Sequence, residues 1–262
     1  MDGKRALVTG GAKRLGRAMA LDLAASGWDV AIHYGSSAEE GEAAAAEARE
    51  TGVSAVALGA DLLDETAVGT LVGRAADALG GPLTLLINNA SIFEDDRVGA
   101  QSRESWDRAL ESNLRAPVRL TGDFANQVPD PEIDAQGEPV ARACVINMID
   151  QRVWKPTPFF ASYTVAKAGL EMFTKTSAQA LAPRVRVNGI GPGPTLRADR
   201  QSEAHFARQR AACPLKRGAD LSDILSAMRF ILACNALTGQ MLAIDGGQHL
   251  AWETPDILGV DL

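Results

Sequence analysis

Short apolar segments alternate with longer Ala-rich segments along the chain, from the first residues to about position 245. The apolar segments are rich in Val, Ile and Leu, which is typical of strands buried on both faces of a parallel sheet. Seven strands are predicted: RALVT at 5–9, VAIHY at 30–34, SAVAL at 54–58, LTLLI at 83–87, CVINM at 144–148, RVRVN at 184–188 and MLAID at 241–245. Helices are predicted between them, near 14–26, 38–51, 64–79, 102–127, 159–182 and 220–233.

This alternation predicts an α/β protein: a single, doubly wound Rossmann-type domain over residues 1–262, with a seven-stranded parallel sheet. Two segments interrupt the pattern. Residues 128–142 are rich in Pro and acidic residues, which predicts a surface loop. Residues from about 192 to 213 begin with Gly and Pro and continue with mixed charge, which predicts a flap beside a site. The tail at 248–262 has no periodicity, and we expect it to pack on a neighbouring subunit.

Composition narrows the class of partner. The formal net charge is −7 and the basic residues are scattered, which argues against nucleic acid or an anionic membrane as the partner. No apolar segment approaches the length of a transmembrane helix, and no secretory signal is visible. The three cysteines, Cys144, Cys213 and Cys234, lack the spacing of metal ligands and are typical of a reducing compartment. We therefore expect a cytoplasmic protein without a metal site that acts on a small molecule.

A glycine turn lies between the first predicted strand and the first predicted helix, in LVTGGAKRLG. Gly10, Gly11 and Gly16 allow main-chain amides to approach a phosphate, and the N-terminus of the helix adds positive potential. Because the turn has a strand before it and a helix after it, the segment predicts a dinucleotide site.

The end of the second strand bears on which dinucleotide binds. A carboxylate there normally binds the ribose 2′-hydroxyl of NAD, but VAIHYGSSA at 30–38 contains no acidic residue. Nearby polar and basic residues favour NADPH instead: Lys13, Arg14, His33, Ser36 and Ser37. It is equally consistent with the sequence that His33 and Tyr34 only complete the strand.

A series of short motifs resembles that of the short-chain dehydrogenases/reductases in order and spacing, over nearly the whole chain. The motifs are TGGAKRLG at 9–16, Asp61-Leu62, INNAS at 87–91, ESNLRAP at 111–117, YTVAK at 163–167, RVNGIGPG at 186–193 and IDGG at 244–247. The first is similar to the TGxxxGxG turn of the family, with Arg14 in place of the middle glycine. The resemblance implies an NADP(H)-dependent oxidoreductase that assembles as a homotetramer.

The resemblance also implies roles for the matching residues. Tyr163 would donate a proton, Lys167 would bind the nicotinamide ribose and lower the pKa of the tyrosine, and Asn113 would hold a water in the proton relay. The i, i+4 spacing of Tyr163 and Lys167 places them on one helix face, as such a pair requires. The predicted cofactor-binding residues are Gly10, Lys13, Arg14, Leu15, Gly16, His33, Tyr34, Ser36, Asp61, Leu62, Asn89, Ala90, Tyr163, Lys167, Pro192 and Gly193.

Asp150 departs from the usual pattern of the family. Members that act on alcohols and ketones usually carry a serine at this position, whereas this chain has no serine from 144 to 161. An ionised aspartate only accepts hydrogen bonds, so it cannot replace a donor to an oxyanion. It suits a substrate with N–H groups or a basic ring nitrogen instead, and it can raise the pKa of the phenol. With Tyr163, Lys167 and Asn113, it completes the predicted catalytic set.

This departure resembles the pteridine reductases and the dihydromonapterin reductases, which carry aspartate at that position. In that subgroup the arginine of the Lys-Arg-Leu-Gly turn, here Arg14, faces cofactor phosphate and substrate. An aromatic ring at the position of Phe93 stacks a pterin against the nicotinamide, and offset aromatic contacts favour such stacking. The predicted substrate-binding residues are Arg14, Phe93, Asp150 and Tyr163.

Several of these residues have a second interpretation. Phe93 can equally pack only on the fourth helix, and Arg14 can equally bind only the cofactor pyrophosphate. The aromatic residues between Asp150 and Tyr163 can line a pocket or fill the core; they are Trp154, Phe159 and Phe160.

The residues together predict an NADPH-dependent reductase that transfers hydride to a C=N carbon of a pteridine-like substrate, with Tyr163 as the source of the proton. A first alternative is a ketone or 3-oxoacyl thioester reductase of the same fold, in which Asp150 is tolerated or protonated. A second alternative is a non-catalytic, dinucleotide-binding regulatory protein. The intact set of Tyr163, Lys167 and Asn113 argues against the second alternative.

Overall fold

The computed structural model describes residues 3–198, 201–254 and 258. Within these residues there are nine strands: β1 (Arg5–Val8), β2 (Asp29–Tyr34), β3 (Ala55–Gly59), β4 (Leu85–Asn88), β5 (Glu132–Ile133), β6 (Pro139–Val140), β7 (Ala143–Met148), β8 (Val185–Pro192) and β9 (Met241–Ile244). Seven of them form one parallel sheet in the order β3-β2-β1-β4-β7-β8-β9, while β5 and β6 form a separate antiparallel pair. The predicted seven-stranded parallel sheet is confirmed.

The described residues also form eight α-helices: α1 (Arg14–Ala25), α2 (Ala38–Arg49), α3 (Glu65–Ala78), α4 (Arg103–Leu110), α5 (Ala116–Gln127), α6 (Ala161–Leu181), α7 (Glu203–Ala211) and α8 (Leu221–Ala233). Ala6 and Val8 of β1 pack with residues of α1, α2 and α8, whereas Leu7 packs with residues of α3, α5 and α6. Successive side chains of a strand point to opposite faces, so helices cover both faces of the sheet. The predicted doubly wound, Rossmann-type α/β domain is confirmed.

The strand order reverses at β1, which pairs with β2 on one side and with β4 on the other. The helix that follows β1 and the helices that follow β4 lie on opposite faces of the sheet. Such a reversal opens a crevice at the carboxyl ends of the strands, where ligands bind in folds of this kind. The glycine turn follows β1 and the INNAS segment follows β4, so both border the crevice.

The helix predicted at 102–127 is divided in the structure. A π-helical turn, Glu111–Arg115, joins α4 to α5 and contains Asn113. Pro117 has no N–H that could donate to the carbonyl of Asn113, four residues earlier, so the α-helical ladder is interrupted there. Such single π-helical turns are frequent at functional sites.

Three segments predicted as irregular contain regular structure. The loop at 128–142 carries the hairpin of β5 and β6, the flap at about 192–213 contains α7, and the tail at 248–262 begins with a 3₁₀ turn, Gln248–Leu250. Parts of the predicted flap and tail lie outside the described residues, namely 199–200, 255–257 and 259–262.

No helix in the described part of the chain has both the length and the apolar composition that a membrane crossing requires. The same residues contain no group of His, Cys, Asp or Glu side chains that could hold a metal ion. The three cysteines are free thiols. Burial raises the pKa of the Cys144 thiol to about 11, so it stays protonated at neutral pH.

Candidate active site

A cleft of about 710 Å³ occupies the crevice above β1 and β4. The turn after β1, the end of β2 and the segments after β3 and β4 form its walls. Eleven of the predicted cofactor-binding residues line it: Gly10, Lys13, Arg14, Leu15, Gly16, His33, Ser36, Asp61, Leu62, Asn89 and Ala90. The structure thus brings most of the predicted cofactor-binding set together in one cleft.

The glycine turn is fixed to the segment that follows β4. The Asn89 side-chain amide donates to the carbonyls of Thr9 (2.8 Å) and Gly10 (3.1 Å). In return, the Thr9 hydroxyl accepts from the N–H groups of Asn89 (2.9 Å) and Ala90 (3.0 Å). A side chain at Gly16 would overlap the carbonyl oxygen of Gly10, so only glycine fits where α1 meets this turn.

His33, in β2, holds the same glycine turn in place through a hydrogen bond to Gly10. Its side chain is 2% exposed, its Nδ1 accepts from the N–H of Gly10 (3.0 Å), and its Nε2 lies 2.9 Å from the carbonyl oxygen of Ala60. Burial lowers the pKa of His33, which keeps the ring neutral, with the proton on Nε2 facing the carbonyl. His33 therefore positions the cofactor turn as well as lining the cleft.

The remaining five predicted cofactor-binding residues lie outside the lining of this cleft. Pro192 ends β8, and the N–H of Gly193 donates to the carbonyl of Ile244 (3.0 Å). The ring of Tyr34 packs against Gly41 and Gly59. Tyr163 and Lys167 lie on α6, in the group of residues around Asp150.

Asp150 bonds directly to Tyr163. The phenol O–H donates to Oδ2 of Asp150 over 2.9 Å, while Oδ1 accepts from the N–H of Arg152 over 2.8 Å. Asp150 follows the buried strand β7, and Tyr163 lies in the first turn of α6. The sheet and the helix thus hold the carboxylate and the phenol in contact.

The pKa of Tyr163 is raised well above its ordinary value. Burial is the largest cause, followed by the charge of Asp150 and by its hydrogen bond to the phenol. Lys167 is expected from the sequence to lower this pKa, but it is not among the groups that shift it in the structure. The ammonium of Lys167 lies 5.7 Å from the centre of the Tyr163 ring and donates to the carbonyl of Met148 over 2.7 Å, whereas the carboxylate touches the hydroxyl itself.

Lys167 should make stability depend on pH in a specific window. Burial lowers its pKa from 10.5 to about 8, so between these values the unfolded chain binds a proton that the folded chain does not. The free energy of unfolding should therefore gain a contribution that rises from about pH 8 to about pH 10. Urea unfolding at pH 7, 8, 9 and 10 should show a flatter dependence for Lys167→Met than for the parent. Lys175→Met, which changes a half-exposed lysine of the same helix, is the control; equal slopes for all three proteins would contradict the prediction.

Asn113 is fully buried, and its side chain is bonded to the main chain of Ile92. Oδ1 accepts from the N–H of Ile92 and Nδ2 donates to its carbonyl, each over 2.8 Å. The side-chain amide therefore fixes the segment that leads to Phe93. A water relay through Asn113 stays a prediction. The water would bind the main-chain carbonyl of Asn113, which has no α-helical donor because Pro117 lacks an N–H.

Phe93 forms an aromatic wall with Phe160 and Tyr163. Its ring stacks on Phe160, with 4.3 Å between centroids and 21° between planes, and contacts Tyr163 edge-on at 4.6 Å. The guanidinium of Arg152 lies 5.3 Å from the centre of the Phe160 ring. Phe93 is nevertheless 39% exposed, so part of the wall is accessible to a flat ligand.

Arg14 joins the glycine turn to the start of the flap. Its backbone is in the left-handed region, with φ 52°, and its guanidinium donates to the carbonyls of Leu196 (3.3 Å) and Arg197 (3.0 Å). Other residues that were not predicted also line the cleft, among them Ser91, Ile92, Arg108 and Ser112. Ser91 and Ser112 belong to family motifs and could have been found, whereas no motif indicates Arg108, which pairs with Glu94 (3.0 Å).

Known proteins resemble this chain over most of its length. The model of the short chain dehydrogenase family matches residues 4–207. One similar crystal structure is that of FolM alternative dihydrofolate reductase 1 from Brucella suis in complex with NADP. Its sequence is 47% identical to this chain, the TM-score is 0.89, and the match covers 97% of this chain and 98% of the FolM chain. A short chain dehydrogenase from Burkholderia cenocepacia, also in complex with NADP, is 31% identical, with a TM-score of 0.83 and coverages of 94% and 98%. The 3-oxoacyl-[acyl-carrier-protein] reductase of Staphylococcus aureus is 29% identical over 252 residues, which are 94% of this chain and 98% of that protein. As the motif series predicts, the chain belongs to the short-chain dehydrogenase family.

Proposed function

We propose that this protein is an NADPH-dependent reductase of a pteridine-like substrate. The observation that carries the proposal is the 2.9 Å hydrogen bond between Tyr163 and Asp150, beside the ring of Phe93, which is 39% exposed. A proton donor, an N–H acceptor and an aromatic surface then converge on one point, which suits a flat nitrogen heterocycle. The 47% identity to an alternative dihydrofolate reductase supports this class of substrate.

The cleft fits a dinucleotide with an added phosphate. The N-cap of α1, Lys13, makes no side-chain capping bond to any described residue, and the first turn of α1 contains no acidic residue. The first amides of α1 can therefore bind phosphate. Ser36 and Ser37 line the cleft at the end of β2, where NAD-binding chains usually place a carboxylate. Relatives crystallised with NADP or NADPH support the same choice of cofactor, which supplies the hydride when bound.

Gly16→Ala should weaken NADPH binding by at least about tenfold. A methyl group at this position would overlap the carbonyl of Gly10, so the glycine turn must open and the amides that bind phosphate must move. Fluorescence titration with NADPH measures the effect. Gly73→Ala is a matched control because Gly73 is also helical, and a methyl group there would meet none of the described residues. An unchanged Kd in Gly16→Ala would contradict the assignment of this turn.

The residues around Asp150 then have separate tasks. Phe93 stacks the heterocycle, and Asp150 accepts a hydrogen bond from one of its N–H groups. The phenol of Tyr163 is protonated at neutral pH, as its raised pKa ensures, and it can transfer that proton to the substrate nitrogen. A phenolate beside the Asp150 carboxylate is disfavoured, which favours rapid reprotonation from solvent.

A substrate panel tests the proposal. The purified protein with NADPH should reduce dihydrobiopterin, dihydromonapterin or dihydrofolate with a kcat/KM at least about 100-fold above that for a 3-oxoacyl thioester or a small ketone. Turnover of the carbonyl compounds alone would favour a carbonyl reductase, as the relative from Staphylococcus aureus suggests. NADPH binding without turnover of any compound would favour the regulatory alternative.

Two expectations from the sequence analysis stay predictions, the first implied by the family resemblance and the second by composition and cysteine usage. A homotetramer is expected, with the tail contacting a neighbouring subunit, and light scattering coupled to size-exclusion chromatography would test it. A cytoplasmic location is expected as well, and fractionation of cells that produce the protein would test it.

A further inference from the structure

Asp96 is a buried carboxylate beside the proposed site that no motif indicates. It is 7% exposed and follows Phe93 in the segment between β4 and α4. Its carboxylate oxygens accept from the N–H of Ser162 over 3.1 and 3.3 Å. Its main-chain carbonyl accepts from the N–H groups of Phe160 (2.9 Å) and Ala161 (3.3 Å). One residue thus bonds three successive amides at the start of α6, and we refer to these bonds as the Asp96 clasp.

The start of α6 depends on this clasp because its own N-cap cannot provide one. The N-cap is Phe160, whose side chain has no hydrogen-bonding atom. The first amides of a helix have no partner within the helix and need one elsewhere. A carboxylate there is also favoured by the positive potential of the helix N-terminus. Asp96 meets both requirements from a segment 66 residues away.

The clasp also fixes an unusual backbone. Phe160 lies in the left-handed region, with φ 58°, which bulky residues rarely adopt. Such conformations persist where the surrounding structure over-determines them, and they cluster at functional sites. Here the bond to the carbonyl of Asp96 and the stacking on Phe93 hold Phe160 in place. The carboxylate of Asp96 fixes Ser162, the residue next to Tyr163.

We propose that Asp96 is a positioning residue that keeps Phe93, Phe160 and Tyr163 in register, and thereby sets the KM for a flat heterocyclic substrate. Phe93 and Asp96 lie three positions apart in one segment, while Phe160 and Tyr163 lie three positions apart in the other. The Asp96 clasp joins the segment that carries Phe93 to the segment that carries Phe160 and Tyr163. The proposal rests on the proposed function in taking the pteridine as the heterocycle.

Asp96→Ala should raise the KM for the dihydropteridine by about tenfold, the effect of losing one capping interaction. The Kd for NADPH should stay within about twofold of the parent, because the clasp bonds no residue of the glycine turn. Asp96→Asn keeps a side-chain oxygen that can accept from Ser162, so it should restore most of the loss. Phe160→Gly keeps the left-handed backbone and the clasp but removes the ring, and it should raise the KM as well.

Asp64→Ala is the matched control. Asp64 caps α3 and accepts from the N–H groups of Thr66 (2.8 Å) and Ala67 (3.4 Å), so its loss also removes a helix cap. It should lower the melting temperature without raising the KM for the dihydropteridine. The proposal is overturned if the KM of Asp96→Ala equals that of Asp64→Ala, or if the Kd for NADPH rises as much as the KM.

A second readout does not need turnover. The chain has two tyrosines, so in a Tyr34→Phe background tyrosinate absorbance reports Tyr163 alone. Asp96→Ala should let Tyr163 ionise at a lower pH, because a looser helix start frees the phenol from Asp150. If the parent reduces no pteridine, the proposed function fails and this titration still decides the role of Asp96. If Tyr163 ionises at the same pH in Asp96→Ala as in the parent, Asp96 does not position Tyr163 and the proposal is overturned.

Discussion

Tyr163→Phe should lower kcat for reduction of the dihydropteridine by about 100- to 10,000-fold, which is the usual range for loss of a general acid. The variant keeps the ring that contacts Phe93 but loses the hydroxyl that donates to Asp150. The Kd for NADPH should change little, because the hydroxyl is outside the glycine turn. Steady-state kinetics and fluorescence titration on the same preparation separate the two quantities.

Thr176→Val provides a control for Tyr163→Phe. Thr176 is an exposed residue of α6, whose hydroxyl donates only a local bond to the carbonyl of Phe173. Its loss removes a hydroxyl from the same helix and should leave kcat unchanged. A Tyr163→Phe protein that retains kcat would show that another group donates the proton.

Asp150→Asn should change both the ionisation of Tyr163 and the rate. Two of the causes that raise the pKa of Tyr163 are the charge of Asp150 and its hydrogen bond, so this pKa should fall in the variant. The kcat/KM for the dihydropteridine should fall by about 10- to 100-fold, which corresponds to one hydrogen bond to a charged group. Tyrosinate absorbance in the Tyr34→Phe background measures the first effect, and steady-state kinetics measure the second.

Asparagine is a suitable replacement because its side-chain oxygen can still accept from the N–H of Arg152. The loop after β7 should therefore keep its conformation, and the change is confined to charge. If Tyr163 ionises at the same pH in Asp150→Asn and in the parent, the carboxylate does not govern the phenol.

The fold and the cleft could be predicted from the sequence because both follow from local patterns. Strands buried on both faces are mostly apolar, as in CVINM at 144–148, where Asn147 is the one polar residue, and the polar residues of the cleft come directly after such strands. Parallel strands bring these endings to one edge of the sheet, so Gly10 and Asn89 meet although they are far apart in the chain.

Contacts between distant segments could not be predicted in the same way. The bond from Ser162 to Asp96 depends on how the segment after β4 packs on α6, and no spacing in the sequence encodes that. The direction of the Tyr163 pKa shift could not be predicted for a similar reason. A cation lowers the pKa of a phenol and a carboxylate raises it, and only the structure shows that Asp150 contacts the hydroxyl whereas Lys167 lies 5.7 Å from the centre of the ring. The π-helical turn had a signal in Pro117, whose missing N–H interrupts the helix ladder at Asn113.

The most direct test of the central claim is the specificity of Asp150→Ser, expressed as the ratio of kcat/KM for a dihydropteridine to kcat/KM for a 3-oxoacyl thioester. Serine restores the hydroxyl that donates to a carbonyl oxygen and removes the acceptor for a ring N–H. We expect the ratio to fall by at least about 100-fold, with pteridine turnover decreasing and thioester turnover increasing. A ratio equal to that of the parent would show that Asp150 does not select the substrate.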